Sequence, residues 1–427
     1  MYVFVLNCGS SSLKYQLLDM RDERRVASGM VERIGMEGSV FVYESSEGEK
    51  IRESHDVPTH DQAIRMVLNH LTDPEKGVIR ALSDITAVGH RIVHGGERFS
   101  SSVLIDDEVI AALKDCIPLA PLHNPANITG IEAIMGVMLG VPNIAVFDTA
   151  FHSTMPPESY MYALPYEWYE KYHVRRYGFH GSSHRFVSER AAQMLGIPKD
   201  MFNCVSCHMG NGSSFTAIRN GDSIDTSMGL TPLEGLVMGS RCGDLDAGIP
   251  DYLASCVDMS FTDIHEALNT RSGLLGLSGI SSDMRDLEKA ISEGDARAQL
   301  AVDVLHHSAL KYIGAYTLEL GRVDAIIFTG GIGENATRFR GSIVDSLELL
   351  DVRLDPVANA VYGQETVIST DDSKIKVVVV PTNEELMIAR DTLSIASLLT
   401  DARHSHGYAE TYRIHKRPGG GKAPEKT

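Results

Sequence analysis

The sequence predicts an α/β protein built from two related domains. Three observations carry that expectation: strands and helices alternate along nearly the whole chain, one supersecondary pattern occurs twice, and 427 residues suffice for two or three cores at roughly 150 residues each. The first half opens with Tyr2–Asp19, read as a strand, an Asn-Cys-Gly-Ser-Ser-Ser turn and a strand. Phe202–Arg219 repeats the plan as a strand, a Gly-Asn-Gly-Ser-Ser turn and a strand. Each half then supplies a later strand running into a glycine pair, Val88–Gly96 in the first and Ala325–Gly331 in the second. Neither correspondence would persuade alone. Together they predict duplicated domains with a cleft between them.

Local chemistry supplies the elements. The apolar, β-branched runs Ile85–Val88, Asn143–Phe147, Val323–Phe328 and Ile375–Val380 read as buried strands. A helix over Asp107–Cys116 follows an Asp N-cap, one over Ser183–Leu195 stops at Gly196, and one over Asp295–Leu320 stops at Gly321. Thr382-Asn383-Glu384-Glu385 has capping-box spacing and opens a helix expected to reach about Ser397. From Phe151 to Tyr177 the pattern is interrupted by Pro156, Pro157, Pro165 and many Tyr, so a domain boundary is placed at its start. The expected division is 1–150 with about 384–400, then 151–383. Residues 401–427, with six Lys+Arg, three Asp+Glu and Pro418-Gly419-Gly420-Gly421, read as a flexible appendage.

Composition excludes several classes. A net charge of −18 offers no basic field for nucleic acid. No apolar run approaches the ~18–20 residues of a membrane helix, and the first ten residues lack a basic export signature, so a cytoplasmic location is expected. Six Cys in a chain this long make no disulfide framework. Cys204-x-x-Cys207-His208 mimics a haem attachment motif, but both Cys fall in a strand and read as buried small hydrophobes. His90 and His94 lie in a strand run without helical metal-pair geometry. The metal expected is Mg²⁺, arriving with phosphate and held by a few oxygen ligands.

Small residues let backbone N–H groups approach anionic oxygens, and three such turns occur: Asn7–Ser12, which includes Ser10 and Ser12, then Gly210–Ser214 and Gly330–Asn335. Lys14 adds a mobile positive charge two residues past Ser12. The Walker pattern is absent. Gly331-Ile332-Gly333-Glu334-Asn335-Ala336 matches a dinucleotide fingerprint, but its C-terminal place in a duplicated fold favours a turn lying against a nucleotide. Four charged groups stand at strand ends or in Gly-rich loops: Arg91 following Ile85–Val88, Asp148 ending Asn143–Phe147, His180 before a helix, and Arg241 in Met238–Asp244. Two Arg, a His and a carboxylate suit the spread negative charge of phosphoryl transfer.

Asn7–Lys14, Gly89–Glu97, Asp225–Gly239 and Gly330–Asn335 together resemble the acetate kinase family over residues 1 to about 398. The resemblance implies duplicated actin-like (ribonuclease H-like) domains, as in the acetate and sugar kinase, actin and heat-shock chaperone superfamily, with ATP/ADP in the cleft. It implies Mg²⁺ (Mn²⁺ as substitute) at Asn7 and Glu384, with Glu385 in the capping-box role and Glu384 facing the cleft. Lys14, His208, Met209, Gly210, Asn211, Gly212, Asp283, Met284, Arg285, Gly331, Ile332, Gly333, Glu334 and Asn335 match nucleotide-binding positions. Arg91 matches the position that holds acetate, His180 and Arg241 those that stabilise the transition state, and Asp148 the acid/base residue. His123 matches an active-site position, and Val93, Leu122, Phe179 and Pro232 the small pocket for the methyl group. Where the family usually has Thr-Arg-Ser-Gly-Asp and then Asp-Pro, this chain has Ser240, Cys242 and Ala247.

The reaction implied is ATP + acetate ⇌ ADP + acetyl phosphate, by a cytoplasmic homodimer with no nucleic-acid or membrane partner. A carboxylate is already ionised at neutral pH, with a reference pKa near ~4, and needs no general base. Asp148 is therefore expected to orient Arg91 or the metal's water shell. A propionate or other short-chain acyl kinase, an ATP-switched interaction module, and pyrophosphate as donor are the alternatives.

Overall fold

The structure, a computed structural model, describes residues 1–404. It divides into two compact units: Met1–Ala150 together with the chain from Asn383, and Phe151–Thr382.

In the first unit, β1 (Tyr2–Gly9), β2 (Ser12–Asp19), β3 (Arg24–Glu32), β4 (Ser39–Ser45) and β5 (Lys50–His55) form an antiparallel meander. β6 (Ile85–Ile92) runs parallel to β1, β8 (Asn143–Phe147) runs parallel to β6, and the short β7 (Val103–Leu104) closes the edge. The order is β5-β4-β3-β2-β1-β6-β8-β7. Strand alternation puts Phe4, Leu6 and Cys8 in a core shared with α1 (His60–Leu71) and α2 (Asn124–Val137). The expected Asp N-cap is Asp106, whose carboxylate accepts from Val109 N at the start of the helix Asp107–Asp115.

The second unit repeats the plan. β9 (Cys204–Met209), β10 (Ser213–Arg219) and β11 (Asp222–Thr226) are antiparallel, and β12 (Ala325–Thr329) and β14 (Lys376–Val379) follow in parallel, with β13 (Thr366–Val367) at the edge. Its order, β11-β10-β9-β12-β14-β13, matches β3-β2-β1-β6-β8 of the first sheet strand for strand and direction for direction over five strands. The duplication read from two turns is thus a duplication of topology. α3 (Gly181–Leu195) packs on β9 and β12, while the core lies between this sheet and helices including α4 (Ala296–Leu320) and the short α5 (Gly330–Asn335). α4 stops at Gly321 as expected, at φ +70°, while Asp295, expected as its first residue, is the N-cap and accepts from the N–H groups of Arg297 and Ala298.

The last helix, α6 (Glu384–His404), belongs to the first unit and packs against β6, β1 and β8. A Cβ on Gly89 would come within 2.3 Å of Thr392 Oγ1, so this strand glycine is what lets α6 lie so close.

Four expectations need correction. β6 continues to Ile92 because Arg91 and Ile92 pair with Val146 and Phe147 of β8, so Arg91 is a strand residue. Gly330–Asn335 is one and a half turns of helix, entered through Gly330 at φ +76°. The capping box at Thr382 does not form: Asn383 is the N-cap, its Oδ1 accepting from Leu386 N, while Thr382 Oγ1 bonds Ser183 Oγ. The same helix runs past Ser397 to His404, which takes in the first four residues of the expected appendage; the remainder of that appendage lies outside the described residues. No helix among the described residues is long and apolar enough to cross a membrane.

Candidate functional site

The first unit gathers its charged groups at the carboxyl ends of β1, β6 and β8 and the N-terminus of α6. Register pairs Asn7 with Lys14 and Gly9 with Ser12 across the β1–β2 hairpin, so Asn7 and Lys14 share a face. That face and α6 enclose a cavity of about 220 Å³, lined by Asn7, Lys14, Gln16, Arg91, Glu384 and Glu385 among others. Arg91 donates through Nε and Nη2 to the two oxygens of Asp148, at 3.0 and 2.5 Å. Asp148 is 1% exposed, and Glu384 Oε2 lies 3.6 Å from Arg91 Nε. Burial pushes the Asp148 carboxyl up from its ordinary value, opposed by Arg91. Glu384 is likewise pushed up by burial against Arg91, with Glu385 adding to the rise and Lys14 opposing it. Burial alone would lower the Arg91 guanidinium, yet Asp148 and Glu384 hold it firmly charged. Three carboxylates thus share two cations. His123, the residue before α2, also acts on Asp148 electrostatically. Val93 is buried, whereas Leu122 is 75% exposed.

In the second unit His180 is the residue before α3, in left-handed backbone at φ +56°. Its ring stacks on His208 with centroids 4.2 Å apart, and its Nδ1 lies 2.8 Å from Ser214 Oγ. Gly212 sits against both expected transition-state residues: a Cβ there would lie 2.7 Å from Arg241 Nη2 and 3.5 Å from His180 Cε1. Arg241 Nη1 donates to the carbonyl of Pro232 at 2.6 Å. No carboxylate among the described residues pairs with Arg241, and burial lowers its guanidinium from the ordinary value. A half-buried cation without an acid, beside a glycine loop and an imidazole, has the charge and donors to receive an anion. Phe179 is buried and Pro232 half-buried.

The nucleotide candidates divide. Gly210, Asn211 and Gly212 form the β9–β10 turn, closed by the Gly210 N to Gly212 O bond and held by Gly239 N donating to Asn211 O. Asp283 caps the next helix and binds its own Arg285, which holds the Asp283 carboxyl down at about 2. Met209 and Met284 do not present side chains to a ligand, because both are in the apolar core. Glu334 turns its carboxylate inward, accepting from Gly330 N at 2.9 Å and Thr382 N at 3.1 Å. Cys204 and Cys207 are fully buried thiols, pushed up by desolvation, as the small-hydrophobe reading expects.

Several residues that matter to this geometry were not legible. Asn127 on α2 joins the ends of β1 and β6, donating to Cys8 O and accepting from Val93 N. Arg340, fully buried, donates to the carbonyls of Gly333, Glu334, Asn359 and Val361 and to Asn359 Oδ1, and so holds the end of α5. Ser206, His184 and Ser214 bond one another beside His180. Apart from Ser214, which belongs to the Gly210–Ser214 turn, none carries a sequence signal beyond its residue type, because each acts through partners in other elements.

A sequence profile described as the Acetokinase family matches residues 2–390. The chain is 55% identical over 395 residues to the acetate kinase of Desulfitobacterium hafniense, covering 92% of this chain and 99% of that one. It is 54% identical over 401 residues to the acetate kinase of Helicobacter hepaticus, covering 94% and 100%. Among solved structures it is similar to Porphyromonas gingivalis acetate kinase, with a TM-score of 0.90 at 48% identity, and to a propionate kinase from Francisella tularensis, with 0.86 at 41%; each covers 92% of this chain and 99% of the other.

Proposed function

Because the chain belongs to the acetokinase family and is a phosphotransferase with a carboxyl group as acceptor, we propose that it transfers the γ-phosphoryl group of ATP reversibly to acetate. An acetate oxygen attacks phosphorus in line, the bond to the β,γ-bridging oxygen breaks, and ADP leaves with the electron pair.

The observation that carries this reading is the Arg91–Asp148 pair. Asp148 occupies the side edge of the guanidinium, taking the Nε proton and one Nη2 proton. The opposite edge, formed by Nη1 and the second Nη2 proton, has the fork geometry that receives a carboxylate bidentately. The buried acid thus aims the cation at an acceptor. Proton removal from acetate is unnecessary at neutral pH, which leaves Asp148 an orienting role. Arg241 and His180 serve the transferring phosphoryl oxygens, whose charge spreads over three positions in the transition state. Lys14, Ser10 and Ser12, the Gly210–Gly212 turn, His208, Asp283–Arg285 and Gly331–Asn335 hold the nucleotide, with Met209, Met284, Ile332 and Glu334 contributing backbone. Val93, Leu122, Phe179 and Pro232 take the methyl group.

Mg²⁺, with Mn²⁺ as its substitute, fits the residues present. Asn7 and Glu384 bring hard oxygen donors to one cavity, and the excess of carboxylates there lacks positive charge. When bound, the ion supplies neutralisation of the phosphate charge. A homodimer in the cytoplasm, without nucleic-acid or membrane partners, belongs to the same proposal and rests on family resemblance.

Trapping acetyl phosphate with hydroxylamine tests the reading. Hydroxamate should form only when acetate, ATP and Mg²⁺ are all present, and ADP release that ignores acetate overturns it. Propionate and butyrate in the same assay give the chain-length preference, since one methylene shifts it by about 1–3 kcal/mol.

A further inference from the structure

Two histidines of the second unit, His184 and His180, are joined in series through serines. Ser206 Oγ, on β9, lies 2.8 Å from His184 Nδ1; His184 Nε2 lies 2.7 Å from Ser214 Oγ, on β10; and Ser214 Oγ lies 2.8 Å from His180 Nδ1. Ser206, His184 and Ser214 are all fully buried. Burial, then the neighbouring His152 and His208, push the His184 imidazole well below its ordinary value, so it carries a single ring proton. With both nitrogens bonded to hydroxyls, one serine donates to His184 and the other accepts from it.

That constraint leaves two directions for the whole chain. In the first, Ser206 Oγ–H donates to His184 Nδ1, His184 Nε2–H donates to Ser214 Oγ, and Ser214 Oγ–H donates to His180 Nδ1. Every proton between Ser206 and His180 Nδ1 then finds an acceptor, and the remaining proton, on Nε2, belongs to the half-buried His180 ring. In the reverse, His180 Nδ1–H donates to Ser214, Ser214 to His184 Nε2, and His184 Nδ1–H to Ser206. The Ser206 proton is then stranded, because Ser206 Oγ has no other hydrogen-bond partner among the described residues. A buried donor without an acceptor shifts two such populations by a factor of about 5 to 150.

We infer that Ser206, His184 and Ser214 form a one-way hydrogen-bond chain that sets the tautomer of His180, with Nδ1 accepting from Ser214 and the ring proton on Nε2. The ring's orientation is fixed as well, by its place at the head of α3 and its stacking on His208, whose Nδ1 lies 2.8 Å from Ser183 Oγ. The consequence for catalysis rests on the role proposed above for His180. A neutral ring with its proton on Nε2 offers a donor to an anionic oxygen, where the other tautomer would offer a lone pair. Ser206, His184 and Ser214 are positioning residues.

The test uses the full chain labelled with nitrogen-15 histidine, observed by ring-nitrogen correlation spectra at about pH 8, where an ordinary histidine is neutral. His180 signals are identified by their loss in His180→Gln. Both His180 and His184 should show a protonated Nε2 and a bare Nδ1; a neutral His180 protonated on Nδ1 overturns the inference. Ser206→Ala removes the group that distinguishes the two directions, so an Nδ1-protonated His180 population should appear, and an unchanged ratio in the folded variant also overturns it. Ser214→Ala should lower kcat about 10- to 100-fold, with KM for both substrates changed less than about threefold; an undiminished kcat counts against the chain. If instead the tautomer is as expected and His180→Gln turns over normally, the chain stands and the role given to His180 fails.

Discussion

Replacing Arg91 with alanine deletes the cation on which the acceptor reading depends, and the structure sets the size of the effect. The proposed acceptor contact consists of two charge-assisted hydrogen bonds from the edge opposite Asp148. At about 1.5–3 kcal/mol each, they amount to about 3–6 kcal/mol, or roughly 10²–10⁴ in kcat/KM for acetate. A second consequence falls on Asp148. Its ordinary value is 3.8, burial already holds it higher, and Arg91 is the main group pulling it back down. Without Arg91 the folded-state value rises further. Between the ordinary value and the raised one the native protein keeps a proton that the unfolded chain has released, so stability falls as pH rises through that interval. Thermal midpoints of Arg91→Ala should therefore drop more steeply than the parent's as pH rises above the ordinary carboxyl value of 3.8. Initial rates by hydroxamate trapping against acetate measure the first effect, and melts followed by circular dichroism measure the second. Added guanidinium chloride should restore part of the lost turnover by filling the space beside Asp148. A folded Arg91→Ala with kcat/KM within about tenfold of the parent would refute the reasoning, since that is less than one such hydrogen bond.

Two further outcomes follow. Gly212→Ala places a methyl 2.7 Å from Arg241 Nη2, so the guanidinium must swing away; kcat should fall about 10²–10³-fold while the thermal midpoint barely moves, and normal turnover would remove Arg241 from the phosphoryl group. Burial pushes Asp225 up to about 6 despite Arg176, so the native state is penalised as pH rises from 3.8 to about 6. Asp225→Asn should remove that slope and gain on the parent across the same window, by up to about 3 kcal/mol; parallel stability curves would contradict it.

The sequence was legible wherever one residue type does one local job. Asp106, Asp295, Gly196 and Gly321 mark helix ends by short-range hydrogen bonds or left-handed backbone, and each stands where its chemistry placed it. It misled where two local solutions compete. Thr382 and Asn383 can each cap a helix, and the choice fell to Asn383 because Thr382 Oγ1 is engaged by Ser183, 199 residues away in the chain. β6 outruns its apolar stretch because Arg91, a residue type that suits a loop, pairs with Val146 of β8. Among the site residues, Arg91 and Asp148 prove to be partners, and Gly212, His180 and Arg241 prove to be neighbours, as separate motifs could only suggest. Met209 and Met284 sat inside matching motifs and still faced the core, since a motif specifies a path of backbone as much as a set of side chains. Asn127, Arg340 and the Ser206–His184–Ser214 chain stayed silent because nothing nearby in sequence names their partners.

The first unit is written in two instalments, and synthesis must honour that order. When Ala150 leaves the ribosome, the face of β1, β6 and β8 that α6 will cover still faces water. Roughly 230 residues intervene, which at about 5–20 residues per second is a wait of roughly ten to fifty seconds. The uninterrupted second unit can mature meanwhile. A nascent chain halted between Asp148 and Asn383 holds Arg91 and Asp148 yet lacks Glu384, so the charged cluster is completed only when the segment from Asn383 is made.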